Sequence, residues 1–198
     1  MKTLIKNKFI RKVDPESSRI LSFRFMEKLP VTQINYETLT ADKQLLEIMP
    51  LIEADLSEPY NIYTYRTFTL FYPHLCHMAR TESGLLVGVL IARVDTRRRG
   101  YIGMLSVRTE YRRMGIAREL IRRVIKAFDA TQEVNQIVLE TEASNEAALR
   151  LYESLNFLRT KLLMHYYGSN RHAFRLKYIL PLLDENEEWD ESGPENYS

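Results

Sequence analysis

The chain has 198 residues, with 28 Lys and Arg against 26 Asp and Glu, a net charge of +2, and 45% hydrophobic residues. That length buries a core without metal or disulfide staples, and the near balance of charge argues against a histone-like or wholly acidic chain. A single cysteine, Cys76, excludes an internal disulfide and a Cys-rich zinc site, and makes a reducing compartment the default.

Residues 1–30 hold eight basic and three acidic side chains. This basic head reads as an arm, a surface helix or an anchor on a polyanion such as ribosomal RNA, and the sequence leaves these open. It lacks the continuous apolar run of a secretory signal, and the early Asp14 and Glu16 weigh against a mitochondrial presequence. Val31 to Thr38 alternates as a strand does. Asp42 to Leu56 has Leu45, Leu46, Met49, Ile52 and Leu56 at helical spacing, with Pro50 expected to break or restart the helix. Ser57-Glu58-Pro59-Tyr60 is turn chemistry, and Ile62 to Tyr72 is a helical, aromatic segment that reads as core or partner-facing.

Leu75 to Arg80 and Leu85 to Asp95 flank Glu82-Ser83-Gly84 and predict a hairpin. Gly84 to Ala92 is the most apolar run, and it falls well short of the roughly 20 residues of a membrane span. Gly100 to Val107 is a further strand. A helix follows Tyr111-Arg112-Arg113-Met114-Gly115-Ile116-Ala117 and runs to about Phe128. Gln136 to Glu142 is a strand, and Asn145 to Leu155 a helix that opens at Ser144 or Asn145. Phe157 to Tyr167 and His172 to Leu180 predict a closing antiparallel pair. Residues 184–198 hold seven acidic and no basic side chains, a composition expected to be solvated and disordered. The mixed α/β domain is therefore expected over residues 31–183.

The chemistry gathers in three places. Arg112-x-x-Gly115-x-Ala117 sits where a strand gives way to a helix, whose first N–H groups and positive dipole end hold phosphate. It lacks the Gly-Lys-Ser/Thr of a P-loop and the Gly-x-Gly-x-x-Gly of a dinucleotide fold, so taken locally it is equally a helix start with two surface arginines. In Val138-Leu139-Glu140-Thr141-Glu142 the alternation puts Glu140 and Glu142 on one face of a strand, where each is either solvated or a general base. Asn145, Ala148, Leu149 and Tyr152 share one face of a helix, and Tyr152 alone reads as an aromatic at the core's edge.

Together, Gly100 to Val107, Arg112-x-x-Gly115-x-Ala117 and Asn145-x-x-Ala148-x-x-Leu151-Tyr152-Glu153-x-x-x-Phe157 resemble the GNAT acetyltransferase superfamily. Asp55-Leu56-Ser57-Glu58-Pro59-Tyr60, Arg99-Gly100-Tyr101-Ile102-Gly103, Leu139-Glu140-Thr141-Glu142 and Tyr166-Tyr167 are similar to catalytic subunits of the NatC type. The resemblance implies a mixed, mostly antiparallel sheet of about seven strands, splayed in the middle and flanked by about four helices. It implies transfer of acetyl from acetyl-CoA, without a metal, to the α-amino group of proteins starting Met-Leu, Met-Ile or Met-Phe. Large and small auxiliary subunits, nascent N-termini and the ribosome are the implied partners, in the cytoplasm and away from membranes.

By the same resemblance Glu140 is the general base, acting through a water, and Tyr152 the general acid. Leu105, Ser106, Val107, Arg112, Arg113, Met114, Gly115, Ile116, Ala117, Asn145 and Tyr152 are expected to hold the cofactor. Leu56, Glu58, Pro59, Tyr60, Tyr166 and Tyr167 are expected to hold the peptide. The sequence departs from the family pattern at Asn156, where glycine is usual before Phe157, at His165, where arginine is usual, and at Ala117, where glycine is commoner. Three other readings stay open: a GNAT enzyme acting on lysine or small amines, a non-catalytic acetyl-CoA-binding or ribosome adaptor module, and an acyl-enzyme on Cys76.

Overall fold

In the computed structural model the protein is described over residues 33–40, 44–55, 60–168 and 170–181. The basic head, the acidic tail and the peptide-side candidates Leu56, Glu58 and Pro59 fall outside these residues. The strands are β1 (Ile34–Thr38), β2 (His77–Thr81), β3 (Leu86–Val94), β4 (Gly100–Val107), β5 (Gln136–Glu142), β6 (Leu158–Tyr167) and β7 (Arg171–Ile179). The helices are α1 (Leu45–Glu53), α2 (Ile62–Phe71), α3 (Ile116–Thr131) and α4 (Glu146–Glu153).

The strands form one sheet in the order β1-β2-β3-β4-β5-β7-β6. Every neighbouring pair is antiparallel except β4 and β5. These two pair only at Gly100 with Ile137 and Tyr101 with Val138. Past that point β4 continues to Val107 and β5 to Glu142 without pairing with one another. The sheet opens there into a wedge whose two edges carry backbone groups released from the ladder.

Alternation along the strands divides the core in two. Met78, Val89, Ile91 and Met104 meet α1 and α2 on one face, and Leu90, Ala92, Ile102, Ile137 and Leu139 meet α3 and α4 on the other. The α3 stripe is an ordinary amphipathic one, with Ile116, Leu120, Ile121, Val124 and Phe128 buried.

Two expectations give way. Pro50 does not end α1, which runs unbroken from Leu45 to Glu53. Proline removes one intrahelical donor, and Leu45, Ile48, Leu51 and Ile52 anchor the helix in the core on both sides of it. Leu46, whose carbonyl loses that donor, belongs to a residue 78% exposed to water. The second strand also starts later than expected, because Pro73–Leu75 forms a 3₁₀ turn that leaves Cys76 at the joint before β2. The hairpin, the strand over residues 100–107 and the closing pair all stand where the pattern puts them.

In β4 the pairing with β3 slips by one residue, so that Ile91 faces Met104, Ala92 faces Ile102, and Gly103 is extra. A Cβ at Gly103 would lie 2.7 Å from the Phe68 ring, so the extra residue beneath α2 has to be glycine. Among the described residues no helix is long and apolar enough to cross a membrane.

Candidate active site

One wall of the wedge is made of backbone and helix starts. After β4, the turn Arg112 to Gly115 leads into α3, with Arg113 at φ 67° and Gly115 at φ 83°. Both lie in the left-handed region, which glycine enters freely and arginine does not. Among the described residues space does not require glycine at 115, since an added Cβ would meet nothing within 4 Å; the backbone angle does. The first amides of α3 have no helical acceptor and open on the same cavity as Arg113, Gly115, Ile116 and Ala117.

Leu105 and Val107 line this cavity as well. Ser106 is buried, its Oγ 2.9 Å from Leu51 O and 2.5 Å from Asp55 Oδ2. The Arg112 side chain turns to protein partners: Nη2 donates to Asp55 Oδ1 at 2.6 Å and Nε to Val107 O at 3.0 Å. Met114 is outside the cavity wall and half-exposed. Asn145 caps α4, its Oδ1 accepting from Ala148 N at 3.0 Å, which makes its amide nitrogen the donor for a ligand.

Tyr152 is fixed by the way α4 ends. Phe157 N donates to Tyr152 O at 3.1 Å and Asn156 N to Glu153 O at 3.0 Å, with Asn156 at φ 66°. That pair of bonds is a Schellman closure, whose left-handed residue is most often glycine and sometimes asparagine; the departure at Asn156 therefore keeps the turn. The rings of Phe157 and Tyr152 then meet edge-to-face at 5.6 Å. Tyr152 is 6% exposed. Burial first, then the neighbouring Tyr167, pushes its phenol well above the usual 10, so it carries its proton at neutral pH.

The other wall is made of side chains from four strands. Glu140 on β5 faces Arg175 on β7 in register, Arg175 Nε donating to Glu140 Oε1 at 2.7 Å, and the Glu140 side chain is 6% exposed. Tyr101 on β4 and Tyr166 on β6 line the same cavity as Glu140. Burial, followed by the Glu140 charge, holds the Tyr101 phenol far above 10. One step along β5, Glu142 is ion-paired with Arg171. Tyr166 and Tyr167 meet edge-to-face at 5.1 Å, and Tyr60 lies edge-on to Tyr65 at 6.4 Å. His165, the second departure, sits at φ 51° in an irregular stretch of β6, its N–H donating to His172 Nδ1 at 3.0 Å.

A cavity of about 1160 Å³ joins the two walls, with Glu140, Asn145, Tyr152, Tyr60, Tyr166 and Tyr167 all in its surface. Leu139 packs with α3 and α4, so Glu140 beside it points to the opposite face, as strand alternation demands. Tyr152 belongs to the α3 and α4 core. The two groups thus approach the parted strands from opposite sides of the sheet. Cys76 has no share in this cavity. It is fully buried against the α1 and α2 core, and burial pushes its thiol up to about 12, which removes the thiolate a nucleophile needs. Among the described residues no group of three His, Cys, Asp or Glu could hold a metal ion.

Tyr101 and Arg175 belong to the site and were not singled out by the sequence. A signal for Arg175 existed: Arg171, Arg175 and Lys177 share one face of β7, complementary to Glu140 and Glu142 on one face of β5. Tyr101 stands inside the Arg99-to-Gly103 stretch quoted above, yet nothing there gave it a role, which depends on where β4 leaves β5.

Comparison with known proteins agrees with this fold. Residues 45–157 match the acetyltransferase (GNAT) family. The chain is 42% identical over 158 residues to the N-alpha-acetyltransferase MAK3 of Arabidopsis thaliana, covering 78% of this chain and 82% of that protein. It is 43% identical over 151 residues to N-alpha-acetyltransferase 30 of Homo sapiens; the match covers 74% of this chain and 41% of that longer protein. Among solved structures, a chain of the NatC complex bound to Gag peptide and CoA superposes with a TM-score of 0.70 at 41% identity, covering 76% of this chain and 99% of that one.

Proposed function

Because this chain belongs to the GNAT acetyltransferase family and is an N-terminal protein acetyltransferase of the NatC catalytic type, we propose that Glu140 and Tyr152 carry its proton transfers across the parted strands. The enzyme moves acetyl from acetyl-CoA to the α-amino group of proteins that start with Met followed by Leu, Ile or Phe. The observation supporting the residue roles is that a carboxylate and a protonated phenol reach one cavity from opposite faces of the sheet, beside an open helix start.

The wall residues suit the cofactor. Free amides at the start of α3 and the Arg113 charge fit a diphosphate, the unpaired edge of β4 past Tyr101 offers backbone groups to an extended amide arm, and Asn145 offers a donor to the same arm. Bound acetyl-CoA supplies the activated acetyl group as a thioester.

The chain's own residues then have modest work to do. An α-amino group has a pKa of about 7.7–8.0, so roughly a tenth to a fifth of it is neutral near pH 7, whereas a lysine near 10.4 is almost wholly charged. Glu140 Oε2, the oxygen not engaged by Arg175 Nε, collects the proton of the attacking amine through a water. Tyr152 Oη donates to the departing sulfur as its charge develops. Its raised pKa keeps the proton in place until then. Tyr60, Tyr166 and Tyr167, with Leu56, Glu58 and Pro59, hold the initiating Met and its backbone. We further propose that the chain works in the cytoplasm, on the ribosome, with a large and a small auxiliary subunit.

Acetylation of four peptides decides the reading, run with and without auxiliary subunits: Met-Leu, Met-Glu, Ser-Glu and one bearing an internal lysine. Met-Leu is expected to lead. Equal rates across the panel would contradict the Met pocket, and preference for the lysine would contradict the α-amino assignment.

A further inference from the structure

The two tyrosines of the peptide wall break strand alternation. Successive residues of a strand point to opposite faces, yet Tyr166 and Tyr167 both lie in the surface of the cavity, their rings edge-to-face at 5.1 Å. The cause sits just before them in β6. Leu163 pairs with Ala173 and Tyr167 with Arg171, so Met164, His165 and Tyr166 stand opposite His172 alone. This is a bulge, the device that re-aims side chains beside a site. Its middle residue, His165, has φ 51°, a left-handed angle that a non-glycine residue keeps only where its surroundings hold it.

His172 supplies that hold. Its carbonyl accepts from Ala143 N at 2.9 Å, which ties its main chain to the end of β5. Its Nδ1 accepts from His165 N at 3.0 Å. An N–H that the bulge takes out of the ladder therefore bonds to an imidazole instead of a main-chain carbonyl. The two imidazole rings also pack edge-to-face at 5.0 Å. Tyr167 has a further support in Arg171, whose guanidinium lies 5.8 Å from its ring centre, so loss of the bulge falls first on Tyr166.

We propose that His172 is a positioning residue for the peptide wall: through Nδ1 it holds the His165 bulge that brings Tyr166 and Tyr167 into one cavity. The inference rests on the assignment of these two tyrosines to the initiating Met. A ring nitrogen accepts a hydrogen bond only while it carries no hydrogen of its own, so what position 172 must offer is an acceptor where Nδ1 stands. Asparagine places its amide oxygen at nearly that distance from the main chain, glutamine carries it one bond further out, and leucine has none.

The test is steady-state kinetics on the full chain with its auxiliary subunits, varying a Met-Leu peptide and acetyl-CoA in turn, with melting curves alongside to report the fold. His172→Leu is expected to raise the KM for peptide about fivefold, the scale of one hydrogen bond, with the KM for acetyl-CoA within about twofold of wild type and kcat changed less than about threefold. His172→Gln should behave as His172→Leu does, and His172→Asn should stay within about twofold of wild type in every constant. Tyr166→Ala should raise the peptide KM at least as far, and adding His172→Leu to it should raise that KM by less than a further twofold or so, since both act on one wall. The proposal is overturned if His172→Leu leaves the peptide KM within about twofold of wild type, if His172→Asn is as impaired as His172→Leu, or if the KM for acetyl-CoA rises as far as that for peptide. Tyr166→Ala with an unchanged peptide KM overturns the wall assignment and this proposal with it. A wild-type chain that acetylates no peptide overturns the activity reading and both.

Discussion

The two sides of the sheet build their halves of the site from different materials. The α3 and α4 side uses main chain: the left-handed residues Arg113 and Gly115, the Asn145 cap, and the closing turn at Asn156 that fixes Tyr152. The α1 and α2 side uses long side chains, Tyr101, Glu140, Tyr166 and Arg175, each from a different strand. A helix start binds a phosphate wherever it is placed, because its donors are intrinsic to the helix. A carboxylate held by Arg175 exists only when β5 and β7 are in register. Damage to the main-chain elements of the first side should therefore fall on donor binding, Tyr152 being the one residue there proposed for the chemical step, and damage on the second on peptide binding, the chemical step or the fold.

The sharpest test of that contrast is Glu140→Gln. It should cut kcat by about 10²-fold or more, if the general-base range applies, with the KM for acetyl-CoA unchanged. A near-normal kcat would sink the role of Glu140 and leave the family intact. Gly103→Ala comes next, on the same side of the sheet. Its methyl would meet the Phe68 ring at 2.7 Å, so we expect a loss of about 1–3 kcal/mol of stability from overpacking, read from urea unfolding.

On the α3 side, His77 is buried, with no hydrogen-bond partner for Nε2 among the described residues. Burial, with Arg123 and His74 adding repulsion, lowers its pKa from 6.5 to about 4. Above pH 6.5 it is neutral in both states and changes nothing. As pH falls from 6.5 towards 4 the unfolded chain takes up a proton that the folded chain refuses. Stability then drops by up to about 1.4 kcal/mol per pH unit. His77→Leu should flatten that part of the fall in Tm; an unchanged slope would remove His77 as its cause. The smallest effect is expected at Gly115→Ala. The positive φ should cost about 1 kcal/mol, and the KM for acetyl-CoA should rise while the KM for peptide stays put. A rise in the peptide KM alone would break the division between the two sides.

The same division explains what was legible beforehand. The α3 start, the Asn145 cap and the strand bearing Glu140 were readable because each is a local pattern with a local cause: a turn glycine, a capping side chain, a two-residue period. Pro50 misled because its local rule was right and the packing of Leu45, Ile48, Leu51 and Ile52 outweighed it. Arg112 was readable as a charge near a phosphate site, yet where its guanidinium goes depended on Asp55, far away in the chain. Cys76 was ambiguous on a strand and became inert only once α1 and α2 covered it.

By itself, then, the sequence determined the order of strands and helices and the position of a helix start with free amides, and its family resemblance singled out Glu140 and Tyr152 as candidates for the proton transfers. The tertiary structure alone decided that β4 and β5 separate after Tyr101, that Glu140 and Tyr152 face the gap from opposite sides, and that Tyr101, Arg175 and Asp55 belong to it. The physical reason is range. Propensity, capping and periodicity act over a few neighbouring residues, while a register between strands, a bulge beneath Phe68 and a carboxylate shared by three segments are set by packing across the whole sheet.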